Sequence, residues 1–107
     1  MPTLPPTPIT ATTYTLGNKD SDQALLFQNT AACVVSLDPA ASPGAGGEIH
    51  QDSAGGVSFS ASGGASIVNS YGFSTIAGQN CSVWWRVLDN VGGSAARFRL
   101  DGQLTSP

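Results

Sequence analysis

Between Gly55 and Gly78 the chain leaves no room for a helix. It reads Gly-Gly-Val-Ser-Phe-Ser-Ala-Ser-Gly-Gly-Ala-Ser-Ile-Val-Asn-Ser-Tyr-Gly-Phe-Ser-Thr-Ile-Ala-Gly. The glycine pairs Gly55/Gly56 and Gly63/Gly64 bracket a short run in which Val57, Phe59 and Ala61 alternate with Ser58, Ser60 and Ser62. A period of two gives a strand one apolar face and one hydroxyl face. Glycine pairs supply the positive φ values that tight turns use. The stretch therefore predicts turn, strand, turn, strand, turn, and the rest of the chain should consist of strands packed around it.

The same alternation recurs on both sides. Ala11 to Leu16 is Thr-rich and ends in Tyr14 and Leu16, as a first strand would. Gly17 to Asp22 reads as a turn, with a single helical turn over Ser21 to Gln23 capped by Asp20. Ala24 to Gln28 and Ala31 to Leu37, separated by Asn29-Thr30, predict a hairpin with Cys33, Val35 and Leu37 facing inward. Asp38 to Gly47 holds two prolines and three glycines and reads as a loop. Glu48 to Asp52 is a short strand with Ile49 inward and Glu48 and His50 outward. Later, Cys81, Val83, Trp85 and Val87 form an apolar face opposite Ser82, Trp84, Arg86 and Leu88. Past a Gly-Gly turn, Ala96, Phe98 and Leu100 face in, and Arg97 and Arg99 face out. The spacing predicts an all-β domain, a small antiparallel sandwich or barrel of about eight short strands. Residues 1–11 read as an extended Pro-rich arm, 12–104 as the β domain and 105–107 as a tail.

With 107 residues the chain is one domain. Only 10% of residues are charged, well below the ~25% of an ordinary soluble domain, and Ser, Thr, Gly and Ala fill the gap. Such a surface suits a protein held permanently in an assembly, or a small extracellular β domain. The net charge of −3 and four basic residues, Lys19, Arg86, Arg97 and Arg99, argue against nucleic-acid binding, which needs a basic face. Neither a signal peptide nor a membrane span is expected: Met1 to Pro6 has no basic region, and no run reaches the ~20 apolar residues of a membrane helix. Cys33 and Cys81 sit at inward parity and predict two buried free thiols, or at most one bridge.

No catalytic, cofactor or metal site is predicted. The single histidine, His50, lies on an outward face with no partner in spacing reach. Asp20, Asp22, Glu48, Asp52, Asp89 and Asp101 fall at turns and strand ends, where carboxylates cap amides. Serines are many, but no Gly-x-Ser-x-Gly elbow occurs. Two features point to contacts instead. The arm carries Pro2, Leu4, Pro5, Pro6, Pro8 and Ile9, an extended segment suited to lie along a partner surface. Trp84 points away from the core that Trp85 joins; it reads as an intersubunit contact or a sugar-stacking platform, with Arg97 and Arg99 as companions.

Taken in order, Tyr14-Thr15-Leu16, Asp20 to Gln23, Leu25 to Asn29, Val34 to Leu37, Gly47-Glu48-Ile49, Gly55 to Phe59, Gly63 to Ile67, Gly72, Gly78-Gln79, Trp85 and Leu100-Asp101-Gly102 resemble the short Gly-rich β domain of tailed-bacteriophage virion proteins, found in tail fibres and in head fibre or decoration proteins. The resemblance covers residues 12–104. It implies a non-enzymatic structural protein. A copy standing alone implies a capsid decoration or cement protein on the outer head surface, a homo-oligomer, commonly a trimer, whose partner is the major capsid protein. A tail-fibre or tail-adaptor module that recognises host surface glycan is the alternative.

Overall fold

The computed structural model describes residues 6–105, and among these nearly every ordered segment is a strand. The strands are β1 (Thr7–Ile9), β2 (Thr13–Leu16), β3 (Ala24–Phe27), β4 (Cys33–Leu37), β5 (Gly46–Gln51), β6 (Val57–Ala61), β7 (Ser66–Val68), β8 (Thr75–Ile76), β9 (Ser82–Asn90), β10 (Ala96–Gly102) and β11 (Leu104–Thr105). Most of the inward residues predicted from alternation are buried; of the rest, Ala61 is exposed and Cys81 half-buried, and the inward side of β3, which alternation left open, is Leu25 and Phe27. Leu25, Phe27, Ile49, Val83, Trp85, Val87, Phe98 and Leu100 come from one sheet, and Leu16, Cys33, Val35, Leu37, Val57 and Phe59 from the other. The two inner faces meet in one core, where Trp85 stacks on Phe98 with centroids 5.8 Å apart. Each large apolar side chain fully buried here contributes about 1.5–3 kcal/mol.

One sheet has six strands in the order β1-β3-β5-β9-β10-β7; the other has five, β11-β8-β6-β4-β2. Through its first eight strands the chain changes sheet at every step. β1-β3-β5 and β2-β4-β6 each pair in parallel, so these six strands are wound as three flattened coils. The small all-β sandwich is as expected, but its sheets are mixed and not antiparallel throughout. The Ala24–Leu37 hairpin does not form. β3 and β4 lie in opposite sheets, and Asn29 is buried at the corner between them, its side-chain amide donating to the carbonyls of Ala11 and Ala31. A two-residue connection with neither Gly nor Asp-Gly lacks the positive-φ pair that folds a strand back on itself.

The glycine pairs serve two purposes. Gly63 has φ +59°, the left-handed value expected of a turn. Its neighbour Gly64 does not; a Cβ there would stand 2.1 Å from the Ser94 carbonyl oxygen, so Gly64 is fixed by lack of space. Past this turn the chain crosses to the six-stranded sheet, where β7 pairs in parallel with β10.

Part of the N-terminal arm belongs to the fold. Thr7, Pro8 and Ile9 pair in parallel with Leu25, Leu26 and Phe27, and Ile9 packs into the core at 9% exposure. Ile9 is thus spent on its own chain rather than on a partner, and the ordered domain starts before residue 12. At the other end, Leu104 and Thr105 pair with Ile76 and Thr75. The helical turn expected over Ser21 to Gln23 falls earlier, at Asn18–Asp20, because Asp20 folds back to accept from the Gly17 N–H (3.1 Å).

Candidate functional site

The outer face of the six-stranded sheet gathers most of the chain's unusual polar side chains. Register explains how. On β5 and β9, Glu48 stands opposite Trp84 and His50 opposite Ser82; on β9 and β10, Trp84 stands opposite Asp101 and Arg86 opposite Arg99. The face therefore carries two rows: Glu48-Trp84-Asp101, and Gly46-Arg86-Arg99. Over them runs an open groove of about 440 Å³, lined also by Asp22 and Gln23. The floor is low at Gly46 because a Cβ there would meet the Trp85 carbonyl oxygen at 2.6 Å.

Trp84 is 51% exposed, yet its ring is held at both edges. Its indole N–H donates to Glu48 Oε1 at 3.4 Å. Its Cε3 lies over Gly102, where a Cβ would stand at 3.1 Å. Glu48 is anchored in turn: its Oε2 lies 3.3 Å from His50 Nε2, and His50 Nδ1 lies 2.6 Å from Ser82 Oγ. The tautomer with hydrogen on Nε2 serves both contacts, donating to Glu48 and accepting from the Ser82 hydroxyl. Sequence spacing gave His50 no partner; the structure gives it two. Glu48 and His50 sharing a face was legible, but Ser82 reaches His50 only through the β5–β9 pairing.

The order serine, histidine, carboxylate is also that of nucleophilic triads. Here the Ser82 backbone N–H, the usual first oxyanion donor, is taken by Gln103 Oε1 at 2.9 Å. Ser82 is the first residue of β9, its carbonyl accepting from the Gln103 N–H (2.9 Å), and it opens a strand rather than a strand-to-helix elbow. The arrangement is suited to holding a tryptophan in place.

The two arginines predicted as companions of Trp84 separate. Arg99 joins the groove, its Nε 3.2 Å from both Asp101 oxygens. Arg97 turns away to a bidentate pair with Asp89, at 2.9 and 2.7 Å, which holds the Asp89 carboxyl below its ordinary range. Both pairs are within the chain. Arg86, in the groove, meets no carboxylate at ion-pair distance among the described residues. Of the arm residues, Pro6 and Pro8 are exposed and Ile9 is buried, while Pro2, Leu4 and Pro5 lie outside the described residues.

The turn that carries Asp22 to the groove is braced from below. Buried Asp20 accepts from the Tyr14 hydroxyl and from Lys19 Nζ (2.9 Å), and the Lys19 ammonium lies 4.2 Å from the Tyr14 ring centre. Burial, then the Asp20 contact, raise the Tyr14 hydroxyl above its ordinary value. Desolvation lowers Lys19, but its contacts with Asp20 and Tyr14 outweigh it and leave the ammonium raised. Away from the groove, Cys33 is buried and Cys81 half-buried, both as free thiols, and burial pushes the Cys33 thiol up. Among the described residues no three of His, Cys, Asp and Glu come together as metal ligands, and no helix is long and apolar enough to cross a membrane. Compared with family models, characterised proteins and solved structures, the chain matches none.

Proposed function

We propose that this chain is a non-enzymatic structural protein of a tailed-bacteriophage virion, a decoration or cement protein that binds the outer surface of the head as a trimer and stabilises the shell. The observation that carries this reading is the ordered series of turn glycines and strand segments from Tyr14 to Gly102, which resembles the virion β domain along nearly its whole length. The charge-poor surface, with 10% charged residues, supports it. The partner is the major capsid protein. Binding the assembled shell and not the free subunit stabilises the shell by mass action. In this reading the arm residues ahead of β1, Pro2, Leu4, Pro5 and Pro6, contact the capsid. The test is labelled protein mixed with purified virions and imaged, head against tail. Saturable head labelling that raises the temperature at which capsids open supports the reading; labelling confined to tails refutes it.

A second reading has a specific observation in its favour. The groove over Trp84 presents a fixed aromatic ring among hydrogen-bonding side chains, the composition of a small-ligand site. In this reading the chain is a tail-fibre or tail-adaptor module that recognises host surface glycan. Saturable glycan binding that Trp84→Ala removes would favour it.

A further inference from the structure

The geometry points to an acidic sugar, a hexuronate unit of a polysaccharide, as the ligand of the Trp84 groove, its carboxylate held between Arg86 and Arg99. This inference rests on the glycan-binding reading above and names the ligand class.

The argument begins with charge. The chain has four basic residues and a net charge of −3, yet two of the four stand directly opposite one another, Arg86 on β9 and Arg99 on β10. Like charges at directly opposed sheet positions are destabilising. Asp101 engages Arg99 through Nε, and Arg86 has no carboxylate partner among the described residues. Guanidinium groups present a planar fork of donors that matches a carboxylate. Asp101 offsets the charge of Arg99 and leaves that of Arg86 uncompensated, so an anion between the two forks would supply the missing counter-charge.

The neighbouring row sets the rest of the ligand. Glu48 and Asp101 both flank Trp84, and ionised carboxylates only accept hydrogen bonds. The ligand must therefore bring donors to this row and its negative charge to the next. The rows are two residues apart along the strands, about 6.6 Å. Between them it must offer a flat apolar face to the half-exposed indole. A pyranose ring meets all three demands: C–H groups on its face, hydroxyl donors along its edge, and, in a hexuronate, an exocyclic carboxylate about one row away. A neutral sugar leaves the arginine clamp empty, and a small inorganic anion leaves Trp84, Glu48 and Asp101 unused. The line Ser82-His50-Glu48 fixes the indole beforehand, which lowers the ordering cost of binding.

The test is calorimetric titration of the full chain with a short oligogalacturonide and a hyaluronan fragment, with neutral galactose oligomers and with sodium phosphate. The expected result is that at least one acidic oligosaccharide binds about tenfold or more tighter than the neutral one, the preference a charge-assisted contact confers. Arg86→Gln should bring that ratio close to one, and Trp84→Phe should weaken acidic and neutral binding together. Cooperative thermal unfolding of both variants, with Arg86→Gln no less stable than the parent, confirms that the fold is intact. If acidic and neutral oligosaccharides bind equally, the hexuronate inference is wrong and the glycan reading stands. Binding of neither overturns both. Phosphate as tight as the uronates means an anion site without a sugar platform, which also overturns the inference.

Discussion

The placement of Ile9 makes the strongest claim about the N-terminus, and Ile9→Ala tests it. Ile9 is 9% exposed, stands opposite Phe27 in the parallel β1–β3 pair, and its carbonyl accepts from the Gln28 N–H at 2.9 Å. The substitution keeps that backbone bond and removes only side-chain packing. Core Ile→Ala changes cost about 2–5 kcal/mol, and an edge strand that can partly collapse belongs at the lower end, about 2 kcal/mol. A domain of this size has about 5–15 kcal/mol in total, so the loss is a substantial fraction. At about 4–8 °C per kcal/mol, the thermal midpoint should fall by roughly 10 °C. Pro8→Ala, one residue away on an exposed position, should stay within about 0.5 kcal/mol. Urea unfolding reads both, with the slope unchanged. If Ile9→Ala and Pro8→Ala are equally neutral, β1 is not docked and the arm is a free tail after all. The result also governs the capsid experiment. Deleting residues 1–10 removes a strand as well as an address, so loss of capsid binding by that variant would be ambiguous. Deleting residues 1–5 separates the two.

Three further outcomes follow from the same packing. Cys33, Tyr14 and Lys19 all have folded values raised above their ordinary 9.0, 10.0 and 10.5, so the folded state holds these protons more tightly. The stability this confers is complete below those ordinary values and is lost as pH rises through the folded ones. Urea midpoints should therefore decline from about pH 9 upward, and Cys33→Ala should remove the earliest part of the decline. Asp20→Ala strands the Tyr14 hydroxyl and the Gly17 N–H, and should cost about 2–3 kcal/mol by chemical unfolding; in the same variant the ultraviolet titration of Tyr14 should move back toward its ordinary range. Phe98→Ala empties the centre of the core and strips the stacking partner of Trp85, for about 3–5 kcal/mol in the same assay and a loss of near-ultraviolet circular dichroism.

Faces were legible in the sequence, and partners were not. Period-two alternation gave the inward side of β4, β9, β10 and, up to the exposed Ala61 at its end, β6, because that pattern is a local property of the pleat. Pairing is not local. Leu25 has Thr7 on one side and Ile49 on the other, in steps of unequal length, so no sequence period announces the coils. Asn29-Thr30 looked like a reversal only because two apolar runs flank it. The site followed the same rule. Trp84 was identified from its parity opposite Trp85, but Arg86 acquires meaning only when β10 sets Arg99 beside it. Arg97 was chosen from the shared outward face and lost to Asp89. The irregular register between Arg97 and Phe98, where β9 gains a residue, separates its row from the groove.

The strand-by-strand change of sheet bears on how this chain comes to be folded at all. Among the described strands, β9 and β10 are the only consecutive pair that are also neighbours in a sheet. Every other ladder joins segments with at least one strand of the opposite sheet between them, so its loop-closure entropy comes due before its hydrogen bonds form. β5, the last coil of the six-stranded sheet, stays open on its outer edge until β9 is in place. A nascent chain that has emerged only as far as Asn80 holds three coils whose β5 edge has no closing strand, and such an edge is a template for another copy. The β9–β10 hairpin is thus both the one element able to form early on local contacts and, in the order of synthesis, one of the last to arrive.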